Sequence, residues 1–196
     1  MSRLSLFCLV LVLAITSTMA QPSDNDTSPP VLDVNGQPLQ RDLEYLILPE
    51  NNASGLTLIN RNNSCPLYVG QEDSSVTQGL PLVFTPFQAE ETLIRESHDF
   101  TVAFLASTIC AQSTAWRVGE EDPETGRRLI VTGGEAGFFR IDRNGTEYNL
   151  AWCPSEACPN CRPRCGIAGI LIENEKRLLA LDGPTVPVVF RRAGTA

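Results

Sequence analysis

Phe138-Phe139-Arg140-Ile141 is followed by Asp142-Arg143-Asn144-Gly145-Thr146-Glu147 and then by Tyr148-Asn149-Leu150-Ala151-Trp152. Two short runs rich in aromatic and β-branched residues flank a polar, turn-forming cluster, which is the pattern of strand, turn, strand. The same alternation extends in both directions. It predicts strands at Leu43–Leu48, Leu56–Ile59, Leu67–Val69, Leu82–Phe84, Phe100–Phe104, Ala115–Val118, Leu129–Thr132, Phe138–Ile141, Tyr148–Trp152, Ile167–Ile172, Arg177–Leu181 and Val186–Phe190. Twelve short strands at near-regular spacing indicate an all-β sandwich or barrel. The weak helix candidate Ala89–Ser97 lacks apolar residues at helical spacing. One faint internal repeat pairs Tyr68-Val69-Gly70-Gln71-Glu72 with Arg117-Val118-Gly119-Glu120-Glu121, and is compatible with a threefold pseudo-repeat.

The 196 residues carry 15 Lys+Arg against 23 Asp+Glu, and 42% of them are hydrophobic. That length supports one sizeable core, and that composition is not disordered. An acidic surface disfavours a nucleic acid or an anionic membrane as partner, because both recruit clustered cations.

At the N-terminus, Arg3 precedes a ten-residue apolar run from Leu6 to Ile15, too short to span a bilayer. Thr18-Met19-Ala20 supplies small residues at a cleavage site, so residues 1–20 read as a secretory signal peptide and the mature chain starts at Gln21. Its removal takes Arg3 and Cys8 away and leaves 14 cations, 23 anions and six cysteines. An even cysteine count behind a signal peptide reads as three disulfides. Four Asn-x-Ser/Thr sequons, at Asn25, Asn52, Asn62 and Asn144, fit the same compartment as candidate glycosylation sites. Residues 21–30, Gln-Pro-Ser-Asp-Asn-Asp-Thr-Ser-Pro-Pro, bury little apolar surface and read as a mobile arm. The domain then runs over 31–192, with a short C-terminal tail at 193–196.

Catalytic constellations are missing from the sequence. His98, the only histidine, sits in the polar loop Arg95-Glu96-Ser97-His98-Asp99 and reads as a solvated surface residue. A cysteine–histidine enzyme needs a free thiol, and no Gly-x-Ser-x-Gly elbow or phosphate-cradling glycine loop occurs. The adjacent carboxylates Glu90-Glu91 and Glu120-Glu121 point to opposite faces of any strand and make poor acid–base pairs. The dense cluster Cys153, Cys158, Cys161 and Cys165 contains a Cys-x2-Cys unit, yet a zinc site more usually shows two such units far apart. Nesting is the simplest disulfide geometry: Cys153–Cys165 encloses Cys158–Cys161, and Cys65 is left to pair with Cys110. Closing that long loop contributes about 4 kcal/mol in the chain-entropy account. These features describe a secreted, disulfide-stapled, all-β protein with no catalytic residue, no metal and no cofactor, of the kind that works through exposed loops on a rigid scaffold.

Particular residues also carry a resemblance. Val31-Leu32-Asp33-Val34-Asn35-Gly36-Gln37-Pro38-Leu39, then Tyr45-Leu46-Ile47-Leu48-Pro49, resemble the N-terminal signature of the plant Kunitz (soybean trypsin inhibitor) family. Gly79-Leu80-Pro81-Leu82-Val83-Phe84, Thr114-Ala115-Trp116-Arg117-Val118, Phe138-Phe139-Arg140-Ile141 and Tyr148-Asn149-Leu150-Ala151-Trp152-Cys153-Pro154 continue it, to about Arg192. The four clustered cysteines look closest to the miraculin-like branch. The resemblance implies a β-trefoil of twelve strands with pseudo-threefold symmetry, and the pairings Cys65–Cys110, Cys153–Cys165 and Cys158–Cys161. It implies a secreted or vacuolar, monomeric plant defence protein that inhibits an endopeptidase, of serine or cysteine type, by inserting an exposed loop into the protease cleft. Pro86, Phe87, Gln88, Ala89 and Glu90 match that loop, with Gln88 at the position where trypsin inhibitors of the family carry arginine. The family's loop-supporting asparagine aligns with Arg41. Both departures imply altered specificity, since a neutral amide leaves the buried aspartate of a trypsin pocket unpaired. Alternative readings are a non-inhibitory storage or stress-induced protein, a carbohydrate-binding trefoil and a taste-modifying protein.

Overall fold

The computed structural model describes residues 28–50, 54–72 and 77–194. Its strands, in chain order, are β1 (Tyr45–Pro49), β2 (Leu56–Ile59), β3 (Tyr68–Gln71), β4 (Leu82–Pro86), β5 (Phe100–Phe104), β6 (Trp116–Glu121), β7 (Arg128–Thr132), β8 (Arg140–Asn144), β9 (Glu147–Trp152), β10 (Gly166–Glu173), β11 (Lys176–Leu181) and β12 (Val188–Arg192). Each strand expected from sequence is present; β2 and β5 match their expected bounds, and the other ten have shifted ends. β6 runs on through Gly119-Glu120-Glu121, and β8 is displaced onto the polar Arg140–Asn144. Exposed hairpin arms need no apolar residues, so hydrophobic patterning does not mark them. The described residues contain no helix. Ala89–Ser97 forms a turn at Ala89-Glu90, then isolated bridges from Leu93 to Gln40 and from Arg95 to Pro30.

Six strands close a barrel. β1 pairs with β12 and β4, β4 with β5, β8 with β9, and β9 with β12, all antiparallel. The remaining seam, between β5 and β8, is made by the bridge Phe100↔Phe139. The other six strands form hairpins β2–β3, β6–β7 and β10–β11, and these pair with one another through β3–β7, β7–β11 and β11–β3. Three units of four strands, each giving two strands to the barrel and one hairpin to the cap, make a β-trefoil. The threefold relation is real, but the sequence pair that suggested it does not carry it. Tyr68–Gln71 is the third strand of its unit and Arg117–Glu121 falls on the second strand of the next.

Alternating inward residues fill the barrel. Tyr45, Phe84, Phe100, Phe104, Trp116, Phe139, Tyr148 and Phe190 are all buried, and their rings meet in tilted or edge-to-face pairs 5.3–6.1 Å apart. Such rings combine a large buried apolar area with a preferred contact geometry. In the cap, β3 and β11 approach so closely at Gly70 that a Cβ there would overlap the Arg177 carbonyl. One guanidinium ties the three hairpins together. Arg61, between β2 and β3, reaches Asp122 of the β6–β7 turn at 2.7 Å and Glu173 of β10 at 2.7 Å, and lies over the Tyr68 ring. Lys176, the single lysine of the chain, donates to the Asn60 and Arg61 carbonyls at 2.6 and 2.7 Å.

Disulfides join Cys65 to Cys110, Cys153 to Cys165 and Cys158 to Cys161. Ser28 to Pro30, read from sequence as part of the mobile arm, are held in place: Arg95 Nη1 donates to the Ser28 carbonyl at 2.9 Å and the Glu96 amide to Pro29 at 2.9 Å. Low hydrophobicity does not reveal such backbone pairing. Ala193, at the start of the tail, donates to the Glu44 carbonyl. The expected signal peptide and the sequons Asn25 and Asn52 lie outside the described residues.

Candidate functional site

Between β4 and β5 the chain leaves the barrel and presents Phe87, Gln88, Ala89 and Glu90 to solvent. Pro86 is buried and still pairs with Phe100, so it forms the root of the projection. The first limb is anchored at Phe87. Its amide donates to the Asp99 carbonyl at 2.8 Å, and its ring meets Phe138 edge-to-face at 5.3 Å while staying 39% exposed. The tip is a turn in which the Glu91 amide donates to the Gln88 carbonyl at 3.1 Å. The second limb is anchored on the segment Val31–Arg41. Arg41 N–H donates to Thr92, Ile94 N–H to Leu39 and Val31 N–H to Ile94, each at 2.8–2.9 Å.

That N-terminal segment has its own local logic. Asp33 Oδ1 accepts the amides of Asn35 and Gln37 and closes a tight turn, and Val31 and Leu39 are fully buried. Short polar side chains that bond their own backbone make such turns cheap. The segment delivers Arg41 to the loop. Arg41 Nη1 donates to the Ala89 carbonyl at 2.6 Å and Nη2 to the Gln88 carbonyl at 3.1 Å. Two charge-assisted bonds from one planar fork hold consecutive carbonyls of the tip. The departure from asparagine at this position therefore replaces one brace by another.

A second support comes from the four-cysteine segment. Asp99 is 2% exposed, and its Oδ2 accepts the amides of Ser155, Glu156 and Ala157 at 2.8–2.9 Å. The Asp99 amide donates to Glu156 Oε2 at 2.8 Å. His98, expected to be solvated, lies with Nδ1 3.1 Å from Glu156 Oε1. Glu156 thus faces His98 with one carboxylate oxygen and the Asp99 amide with the other. Gln88, Glu91, His98, Asp99 and Glu156 border a cavity of about 10 Å³, close to the least that holds one water. Sequence reading did not single out Asp99 or Glu156. Neither lies in a motif, and the three amides that meet Asp99 come from more than fifty residues away.

The other expected sites lie elsewhere. Asn62 is exposed in the β2–β3 loop and Asn144 at the end of β8, next to the turn where Gly145 takes a positive φ. In the turn Cys161–Cys165, Arg164 pairs with Glu121 at 3.3 Å and Asp182 at 3.6 Å. Among the described residues no group of three or more His, Cys, Asp or Glu side chains is arranged to hold a metal ion.

Comparison with known proteins places these features in context. Residues 31–192 match the Kunitz-type legume family profile, described as trypsin and protease inhibitors. The chain is 47% identical over 174 residues to Kunitz type trypsin inhibitor 104 of Medicago truncatula, covering 83% of this chain and 87% of that one. It is 31% identical to miraculin of Synsepalum dulcificum, with 98% and 96% of the two chains covered. Among solved structures, the rice bifunctional alpha-amylase/subtilisin inhibitor superposes with a TM-score of 0.71 at 35% identity, covering 85% of this chain and 99% of that one. A Kunitz-type cysteine protease inhibitor from potato superposes with a TM-score of 0.73 at 27% identity, covering 86% and 100%.

Proposed function

Because this chain belongs to the Kunitz family of trypsin and protease inhibitors, we propose that it inhibits an endopeptidase through Pro86–Glu90, and that its target has a neutral primary pocket. The observation that carries this reading is the fork of Arg41 on the carbonyls of Gln88 and Ala89. A loop already ordered before docking loses little conformational entropy when it enters a cleft. Arg41 and the Glu91 amide together engage the Gln88 carbonyl, which in a substrate-like complex accepts the donors of the protease's oxyanion hole. Docking exchanges the longer Arg41–Gln88 bond for those donors, while the 2.6 Å bond to Ala89 keeps the tip in place.

Gln88 sets the specificity. Its amide side chain carries no charge to pair with an aspartate at the base of a trypsin-type pocket, and an unpaired buried charge costs several kcal/mol. A subtilisin-type or papain-type cleft imposes no such demand, in keeping with subtilisin and cysteine proteases in the names of the rice and potato relatives. The protein works by binding and not as an enzyme, and acts as a monomer; all six cysteines of the described domain are used internally, which leaves none of them for a disulfide to a second chain. Its place is the secretory pathway, ending outside the cell or in the vacuole. The N-terminal apolar segment supports this, and Asn62, in a loop, and Asn144, at the end of β8, are exposed positions suited to glycosylation. A panel assay of the protein beginning at Gln21 against trypsin, chymotrypsin, subtilisin and papain tests the reading. Inhibition of subtilisin or papain with weak action on trypsin is expected, and no inhibition of any of the four overturns it.

A further inference from the structure

We propose that Asp99 is a positioning residue, through which the disulfide-closed segment Cys153–Cys165 stiffens the exposed loop. This rests on the reading that Phe87–Glu90 meets the protease. The hydrogen bonds of Asp99 run to these two segments. Its carboxylate takes three amides from Ser155–Ala157, its amide is held by Glu156, and its carbonyl holds the Phe87 amide, next to Gln88.

The choice of residue is otherwise hard to explain. Asp99 is almost wholly buried: Oδ2 takes three amides while Oδ1 is buried without a hydrogen-bond partner, and a buried polar group costs free energy unless its bonds are made. An apolar residue would fill the volume without that cost. What an apolar residue cannot do is collect three amides on one oxygen and fix the backbone that faces the loop. The amides themselves come from a segment closed by Cys153–Cys165 and Cys158–Cys161, so the anchor has little freedom of its own. His98 and Glu156 add a parallel tie beside it. Arg41 braces the second half of the tip from the N-terminal segment, and Asp99 braces the first half from the cysteine segment.

The test uses the intact oxidised protein and the variants Asp99→Ala, Asp99→Asn and Glu156→Ala. Three quantities are read: the inhibition constant for the panel protease the parent inhibits best, the rate at which that protease cleaves the Gln88–Ala89 bond at equimolar ratio, and hydrogen exchange at the Phe87 amide. Asp99→Ala is expected to weaken inhibition at least tenfold, to speed cleavage by a similar factor and to deprotect Phe87. Asp99→Asn keeps an acceptor for the three amides and is expected to stay within about threefold of the parent. A folded Asp99→Ala with unchanged inhibition, cleavage and Phe87 exchange overturns the proposal, even if its melting temperature falls. Should that variant not fold, Glu156→Ala decides, because Glu156 is partly exposed and lies outside the core. It is expected to raise Phe87 exchange two- to fivefold, and no change overturns the proposal. If the parent inhibits no protease, the functional reading fails, while Phe87 exchange still decides whether Asp99 couples the two segments.

Discussion

Arg41 donates to the carbonyl of Gln88 across 47 residues of sequence, with Nη2 3.1 Å from the oxygen, and the same fork reaches Ala89. The residue proposed to set specificity is thus held by its backbone, which leaves its side chain open to substitution. Gln88→Arg is expected to create trypsin inhibition from a weak parent, by about 30-fold or more, because a new charge pair buried in the pocket is worth at least about 2 kcal/mol. Adding Arg41→Ala is expected to remove at least tenfold of that gain while the fold remains intact by circular dichroism. A Gln88→Arg protein that is folded and inert toward trypsin would show that the loop does not act as a substrate mimic.

The cap offers a stability test. Arg61 bridges Asp122 and Glu173 and so joins all three hairpins. Arg61→Ala is expected to destabilise by about 1–2 kcal/mol, since the pairs are partly exposed but share one guanidinium. That corresponds to a fall of roughly 2–8 °C in melting temperature for a domain of this size. A change below 1 °C would mean that the clip adds nothing to the cap.

The same clip has a pH signature. Hydrogen bonding to Arg61, helped by the Thr125 amide, holds the Asp122 carboxyl below the usual carboxylate range. A depressed folded-state pKa contributes stability above the unfolded value that is lost as pH falls through the folded one. The stability difference between the parent and Arg61→Ala should therefore shrink as the medium is acidified below about pH 4. A constant difference from pH 7 to pH 2 would contradict the assignment.

Glu147 behaves in the opposite sense. Desolvation first, and then the hydrogen bond and charge of Glu50, push its carboxyl up. A raised folded-state pKa stabilises the fold below the unfolded value, and that contribution disappears as pH rises through the folded pKa. Glu147→Gln is accordingly expected to melt higher than the parent at pH 7, with the gap closing near pH 4. Equal melting temperatures at pH 7 would contradict this.

The turn Cys161-Arg162-Pro163-Arg164-Cys165 has arginines but not the setting of a second inhibitory head. Arg164 is engaged with Glu121 and Asp182, its carbonyl accepts from Arg128, and the next residue is a disulfide-bonded cysteine. Replacing Arg162 and Arg164 together by Ala is expected to leave inhibition unchanged. A loss of more than tenfold would assign the turn a direct contact with the protease.

By itself, the sequence determined the strands, their number and the chemistry available. Short apolar runs between turn formers are local signals, and so are the spacing of Cys153, Cys158, Cys161 and Cys165 and the position of Gln88 in its loop. Local signals falter where side chains face solvent, which is why the ends of β6 and β8 depart from the apolar pattern and why the backbone pairing of Ser28–Pro30 leaves no mark in it. Only the tertiary structure decided what holds the loop. The family resemblance pointed to Arg41 by position but not to the carbonyls it holds, Asp99 and Glu156 are ordinary polar residues in sequence, and the partners of all three lie 47 to 58 residues away. Closing the barrel through Phe100 and Phe139 and folding the N-terminal segment across Ile94 bring those partners within hydrogen-bond distance. A brace made of backbone carbonyls and amides leaves no pattern in side-chain identity, so it becomes visible only when the chain has closed on itself.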